Sequence, residues 1–183
     1  VTVCVESLSG WGAVVGKTAV WLEAAHQAQK EGVYGGVGYV EPHARPVTRA
    51  LLEGLEGLSC REVDYRGIRL REFDLDGALA RRPQLILVDE LAHSNAPGCR
   101  HTKRYQDVEE LLQAGINVYT TVNVQHLESL NELVTSITGH VVNERIPDPV
   151  FDRANQVELE AIAPAELETR LEEGEIYRQR QAK

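Results

Sequence analysis

Val1-Thr2-Val3-Cys4-Val5 opens the chain as an apolar, β-branched run of the kind a buried strand carries, and the Ser- and Gly-containing stretch behind it ends that pattern. From Thr18 to about Lys30, Val20, Leu22, Ala24, Ala25 and Ala28 lie among good helix formers, and Gly32 follows as a stop signal. The order strand, loop, helix is predicted. Val37 to Val40 reads as a second short strand, and Pro46 to Leu58 as a second helix with Val47, Ala50, Leu51 and Leu55 at helical spacing. Between Arg61 and Phe73 the pattern changes to alternation, with Val63, Tyr65, Ile68 and Leu70 around Arg66-Gly67, which predicts a surface hairpin.

Leu85-Ile86-Leu87-Val88 is a continuous apolar run closed by Asp89-Glu90, the pattern of a strand covered on both faces in a parallel sheet. A polar connection from His93 to Lys103 leads to a helix near Arg104 to Ala114 with Val108, Leu111 and Leu112 inward, closed by Gly115. Ile116 to Val124 is the next strand, and Glu128 to Thr138 carries the stripe Leu130, Leu133, Val134 and Ile137 of a helix ended by Gly139. A strand near Val142, Pro147-Asp148-Pro149 as punctuation and a strand from Val157 to Ile162 follow. Pro164 and Gly174 frame a last helix with Leu167 and Leu171 facing in. Strands alternating with helices predict an α/β fold, a mostly parallel sheet with flanking helices and a small β-hairpin insertion, formed by one domain over residues 1–174 with a tail at 175–183.

A chain of 183 residues and 20.3 kDa, 43% hydrophobic and 26% charged, is sized and composed for one globular domain. Its 28 acidic against 19 basic residues give a formal charge of -9, so the overall field repels nucleic acid and anionic lipid and any anion needs a local binding device. No apolar run reaches the roughly 20 residues of a membrane span, so no direct membrane insertion is expected. Cys4, Cys60 and Cys99 are far apart with no CxxC pair, which points to reduced thiols rather than a disulfide framework or zinc site. A start at Val1 and the lack of Met suggest a piece of a longer protein.

That device is sought first at Gly16-Lys17-Thr18, between a predicted strand and a predicted helix. In a phosphate-binding P-loop, glycines let backbone N–H groups wrap phosphate oxygens, the lysine reaches the terminal phosphates, and the hydroxyl joins the magnesium shell. The usual first glycine would fall at position 11, which is Trp11, flanked by Gly10 and Gly12. A loop with a helix-capping threonine is the structural alternative. Asp89, at the carboxyl end of an apolar strand, suits the acidic residue that holds magnesium, and Glu90 is placed to orient an attacking water. His93, Asn95, Arg100, His101, Lys103 and Arg104 leave the sheet at the same edge, to meet nucleotide phosphates, to dock a partner or simply to be solvated. Asn123 or Gln125 would sense a terminal phosphate or cap structure, and Arg45 would meet a phosphate, a neighbouring subunit or a surface acid. A Ser-His-Asp or Cys-His hydrolase fits poorly, since no GxSxG elbow is present.

Glu90-Leu91-Ala92-His93-Ser94-Asn95-Ala96-Pro97-Gly98, Arg100-His101, the run from Lys103 to Leu112 and the run from Tyr119 to Asn131 resemble the amino-terminal cytoplasmic domain of the KdpD family of osmosensitive, potassium-responsive sensor histidine kinases. The likeness also takes in Gly38-Tyr39-Val40-Glu41, Leu51 to Leu55 and Leu167 to Tyr177, and so spans nearly the whole chain. It implies a P-loop NTPase-like regulatory domain that takes ATP and Mg2+, with Gly10, Gly16, Lys17 and Thr18 matching the family's loop; Gly12 and Asp89 join them as cofactor-binding candidates from their own places in the sequence. It further implies a cytoplasmic domain of a bacterial inner-membrane protein, homodimeric, partnered by the other domains of its kinase and, through the transmitter region, by a response regulator. The parent would answer potassium limitation or osmotic stress by controlling potassium-transporter expression, and the phosphoacceptor would be none of the six histidines here. The family's loop reads roughly Gly-Ala-Ala-Pro-Gly-Val-Gly-Lys-Thr, against which Ala13 and Val14 replace the proline and second glycine. A β-branched Val14 resists positive φ and adds bulk where backbone must approach phosphate. Two rivals therefore stand beside the ATP-binding regulator: a protein-interaction module with a degenerate loop, and a free-standing P-loop ATPase.

Overall fold

The structure is a computed structural model that describes residues 2–6, 17–33, 35–40, 50–139 and 141–160. In chain order the elements are β1 (Thr2–Glu6), α1 (Lys17–Lys30), β2 (Gly35–Tyr39), β3 (Arg61–Tyr65), β4 (Ile68–Glu72), α2 (Leu75–Arg81), β5 (Leu85–Val88), α3 (Arg104–Gln113), β6 (Asn117–Asn123), a 3-10 turn (Val124–His126), α4 (Glu128–Thr138), α5 (Asp148–Asp152) and β7 (Gln156–Glu160). Five strands form one sheet in the order β2-β5-β6-β1-β7, with every pairing parallel, while β3 and β4 pair antiparallel as a separate ribbon. This is the predicted α/β architecture with its hairpin insertion.

The continuous apolar run of β5 is buried at every position, because both of its faces are covered. On one face Leu87 and Val37 meet Trp21 and Leu22 of α1, and the Trp21 and Tyr119 rings stand 4.8 Å apart. On the other, Ile86, Val88, Val118 and Val122 pack with Val108 and Leu111 of α3, Leu127 before α4 and Ala78 of α2. A sheet clothed on both sides leaves its strand ends as the open ground for ligands, and in such sheets ligands bind beyond the carboxyl ends.

The hairpin turns at Arg66 (φ 51) and Gly67 (φ 78), the two successive left-handed residues of a tight two-residue turn. Its alternation puts Val63, Tyr65, Ile68, Leu70 and Glu72 on one face, an acid at the end of an apolar row.

The predicted helix from Pro46 to Leu58 is corrected in its second half; residues 46–49 lie outside the described ones, and 50–52 are helical. Gly54 (φ 82) ends the helix, and the next residues serve β2 as an edge: Val37 donates to the Glu56 carbonyl and Leu58 to the Val37 carbonyl, both at 2.8 Å. No strand forms near Val142 among the described residues; Ile146 makes a single bridge to Leu127, and Asn131 Nδ2 uses the Val142 carbonyl at 3.3 Å. Two short helices went unread. Asp74 caps α2 by accepting from the Gly77 amide, and Pro149 sits in the first turn of α5, where its missing N–H costs nothing. The predicted helix from Pro164 to Gly174 lies outside the described residues, as do residues 161–162 beyond β7.

Candidate functional site

One step past the last ladder pair of β5 and β6, Val88 with Thr120, the chain places Asp89 beside Thr121. Asp89 is buried, and its amide donates to the Tyr39 carbonyl at the end of β2. The Thr121 hydroxyl donates to Asp89 Oδ1, and the Glu90 amide donates to both Asp89 Oδ1 and Thr121 Oγ1 at 3.1 Å. Glu90 itself is held at φ 59, a left-handed conformation that a side-chain-bearing residue adopts at a cost of about 1–2 kcal/mol. Leu91 then donates to the Thr121 carbonyl at 2.9 Å, so a closed set of hydrogen bonds fixes the acidic corner to β6.

From the other side comes Arg104, the first residue of α3 and fully buried. Its Nη1 donates to the Asp89 carbonyl at 3.0 Å, its Nη2 to Glu72 Oε2 at 3.4 Å, and its guanidinium lies 4.0 Å from the Tyr39 ring centre. Glu72, carried in by β4, also accepts from the Ala96 amide at 2.9 Å and meets His93 Nε2 at 3.1–3.2 Å. Burial pushes the Glu72 carboxyl up, but the hydrogen bond and charge of His93, the Ala96 amide and Arg104 outweigh it and hold the group below the ordinary carboxylate range. An anion and a cation share this dry corner because neither would be tolerable there alone.

Beside the corner opens a small cleft of about 70 Å³ lined by Glu90, Ala92, His93, Thr121, Val122, Asn123, His126 and Glu144. His126 Nδ1 donates to the Glu144 carbonyl at 2.7 Å, which makes Nε2 the acceptor nitrogen of the neutral ring. Burial raises the Glu144 carboxyl, yet hydrogen bonds from the Ser94 amide and side chain and the charges of His93 and Lys103 bring it below its ordinary value. Lys103 Nζ donates to Ser94 Oγ at 2.8 Å, which keeps a cation at the rim. The cleft thus offers two acids, two imidazoles and amide or hydroxyl groups in one opening at the carboxyl edge of the sheet.

Of the residues picked from sequence, Asp89, Glu90, His93 and Asn123 come together at this corner and cleft. Lys17 and Thr18 form the first turn of α1, the helix that follows β1. Gly10, Gly12, Gly16 and Arg45 lie outside the described residues. Gln125 sits in the 3-10 turn, where its carbonyl accepts from Asn131 Nδ2 at 3.0 Å. Asn95 donates to the His101 carbonyl and to Asp107 Oδ2 at 2.9 Å, and Arg100 pairs with Asp76 and Glu110, so both are engaged away from the cleft. Burial raises the Asp107 carboxyl, only partly offset by the Asn95 amide and the charges of His101 and Arg104. Sequence reasoning missed Glu72 and Glu144, and from the hydrogen-bonding run Thr120 to His126 that ends β6 it chose Asn123 and Gln125 rather than Thr121 and His126; Glu72 left a trace only as an acid on the apolar side of the hairpin alternation.

Fold and site together define a doubly wound parallel α/β domain with an acidic, hydrogen-bonding site at its carboxyl edge. The family model described as the KdpD osmosensitive K+ channel His kinase sensor domain matches residues 8–183, and the chain belongs to that family. It is 54% identical over 174 residues to a sensor protein KdpD of Clostridium acetobutylicum, covering 95% of this chain and 19% of that protein. To a sensor protein KdpD of Escherichia coli K12 it is 57% identical over 163 residues, 89% of this chain and 18% of the relative. One from Mycobacterium tuberculosis H37Rv is 49% identical over 163 residues, 89% and 19% respectively. The chain thus spans about a fifth of the length of these relatives. Among the described residues no helix is long and apolar enough to cross a membrane.

Proposed function

We propose that this chain is an ATP-binding regulatory domain of a membrane sensor histidine kinase in a potassium- or osmotically responsive two-component system. The observation that carries the reading is the placement of Lys17-Thr18 at the opening of α1, directly after β1 in chain order, in a parallel sheet whose β5 ends in buried Asp89 at the carboxyl edge. β6 lies between those two strands, so Thr121 and Asn123 end between the two ends of a magnesium-nucleotide lying across the edge. The relatives' shared name, sensor protein KdpD, and the family's description as a His kinase sensor domain support a sensor-kinase setting; to that setting we add, as part of the same proposal, a cytoplasmic position, a dimeric kinase and a response regulator reached through segments outside this chain.

Magnesium fits this edge as a nucleotide-borne ion. No group of three or more His, Cys, Asp or Glu among the described residues could hold a metal on its own, and magnesium characteristically completes a one- or two-carboxylate site with substrate phosphates and water. Asp89 and Thr18 would hold it, and the ion supplies charge that neutralises the terminal phosphate oxygens. Lys17 binds the same phosphates, Asn123 donates towards the terminal one, and the Thr121 hydrogen bonds keep Asp89 from turning away. Such a site regulates by binding one conformation of the domain more tightly than another, which shifts the balance of the attached kinase by the difference in affinity.

Calorimetric titration with Mg-ATP tests the reading: wild type gives saturable heat and Lys17→Ala loses it. Absence of heat at millimolar ligand in wild type overturns it. That outcome favours a second reading prompted by Val14, in which the loop has lost phosphate binding and the domain works through protein contacts.

A further inference from the structure

We infer that Arg104 is a positioning residue of the nucleotide edge: it clamps the peptide between Asp89 and Glu90 and thereby aims the Asp89 carboxylate. This rests on the reading of the edge as a magnesium-nucleotide site. Both polar atoms of that one peptide unit are tied down. Its carbonyl oxygen accepts from Arg104 Nη1 at 3.0 Å, and its N–H donates to Asp89 Oδ1 and Thr121 Oγ1 at 3.1 Å. The φ angle of the residue after a peptide and the ψ angle of the residue before it change together when the plane flips. Releasing the carbonyl therefore lets Glu90 leave φ 59, relieves its strain and withdraws from Asp89 Oδ1 the Glu90 N–H that helps to aim it.

Stability alone accounts poorly for an arginine here. Arg104 is fully buried, its Nε has no hydrogen-bond partner, and both of its carboxylate contacts are long, 3.4 Å to Glu72 and 3.8 Å to Glu90 Oε2. A buried charge with an unmet donor is costly, and apolar residues of similar size commonly replace such pairs without loss of stability. What an apolar side chain cannot do is donate to the Asp89 carbonyl. Being buried, Arg104 does not reach a phosphate itself; it acts through the corner. Its supports are the Tyr39 ring under the guanidinium and Glu72, fixed by His93 and the Ala96 amide, so the base of the hairpin belongs to the same device.

The test compares wild type with Arg104→Met, which removes the donor, and with the double variant Glu72→Gln/Arg104→Met, which removes cation and anion together and so keeps a folded comparison if the single change unfolds. Two quantities are read on each. In the free protein, hydrogen exchange of the Glu90 amide accelerates in the variants while that of Leu91, bonded to the Thr121 carbonyl, stays slow. In titrations, affinity for Mg-ATP falls by about tenfold or more, the size of one charge-assisted hydrogen bond, while affinity for ATP in the presence of EDTA is unchanged. Unaltered Glu90 exchange overturns the clamp. Equal loss with and without magnesium overturns the aiming of Asp89 and leaves a merely structural arginine. If wild type takes no Mg-ATP at all, the nucleotide reading fails and the role of Arg104 towards magnesium fails with it.

Discussion

Thr121 donates its hydroxyl to the Asp89 carboxylate across the boundary between β6 and β5, and the same oxygen accepts from the Glu90 amide. One side chain thus satisfies a buried anion and a strained turn together. Thr121→Val keeps the shape and removes both bonds, so no cavity forms and the loss isolates the hydroxyl. A hydrogen bond to a charged group contributes about 1.5–3 kcal/mol, and urea unfolding of Thr121→Val is expected to show a loss of that size. Thr121→Ser restores most of it. Equal stability of the valine and serine variants would mean the hydroxyl is not bonded to Asp89.

The pattern of apolar residues made most of this frame readable. The run Leu85 to Val88 announced a strand covered twice, and Arg66-Gly67 announced the hairpin turn, because burial and backbone sterics act locally. Asp89-Glu90 was legible as the end of that strand. What could not be read is what depends on side chains meeting from distant segments. Glu72 and Arg104 are 32 positions apart, as are Asp89 and Thr121, and neither pair obeys a spacing rule. The segment from Glu53 to Leu58 misled for a related reason: its apolar spacing suits a helix, but the free edge of β2 takes its backbone hydrogen bonds.

Acid should loosen the domain through Glu72. Its folded pKa lies below its ordinary value, so its ionised form adds stability that is fully present above the unfolded carboxylate pKa and is lost as pH falls through the folded pKa. His93 and Arg104 face this carboxylate, and Cys99 lies near enough to feel its charge, which together with burial raises the thiol. Glu72→Gln is expected to be less stable than wild type at neutral pH and to show a shallower decline of melting temperature on acidification. Asp107 works in the opposite sense: its raised pKa means that ionisation opposes folding, so Asp107→Asn steepens the net acid decline. Melting curves taken from neutral to acidic pH decide both, and parallel profiles for Glu72→Gln and wild type would contradict the first.

Helix α2 begins at a cap that can be removed cleanly. Asp74 Oδ1 accepts from the Gly77 amide at 3.2 Å, and the helix buries Leu75 and Ala78 against the core. Asp74→Ala should cost about 1 kcal/mol, whereas Asp74→Asn, which can still accept, should cost little. The midpoints of urea unfolding curves distinguish the two.

Gly38 of β2 marks where the hairpin is pressed onto the sheet. A Cβ built there would stand 2.7 Å from Phe73 Cε2 and 2.9 Å from Ile86 Cδ1, and neither group has room to yield, since both are buried in the core. Overpacking of this kind costs about 1–3 kcal/mol, so Gly38→Ala should lower stability by that amount. Phe73 follows Glu72 directly in the chain, so any shift that makes room for the new methyl also moves the carboxylate that holds Arg104. Gly38→Ala should therefore speed hydrogen exchange at the Glu90 amide as well as lower the unfolding midpoint. Trimming the obstruction with Phe73→Leu should recover part of both in the double variant, a coupling that independent sites would not show.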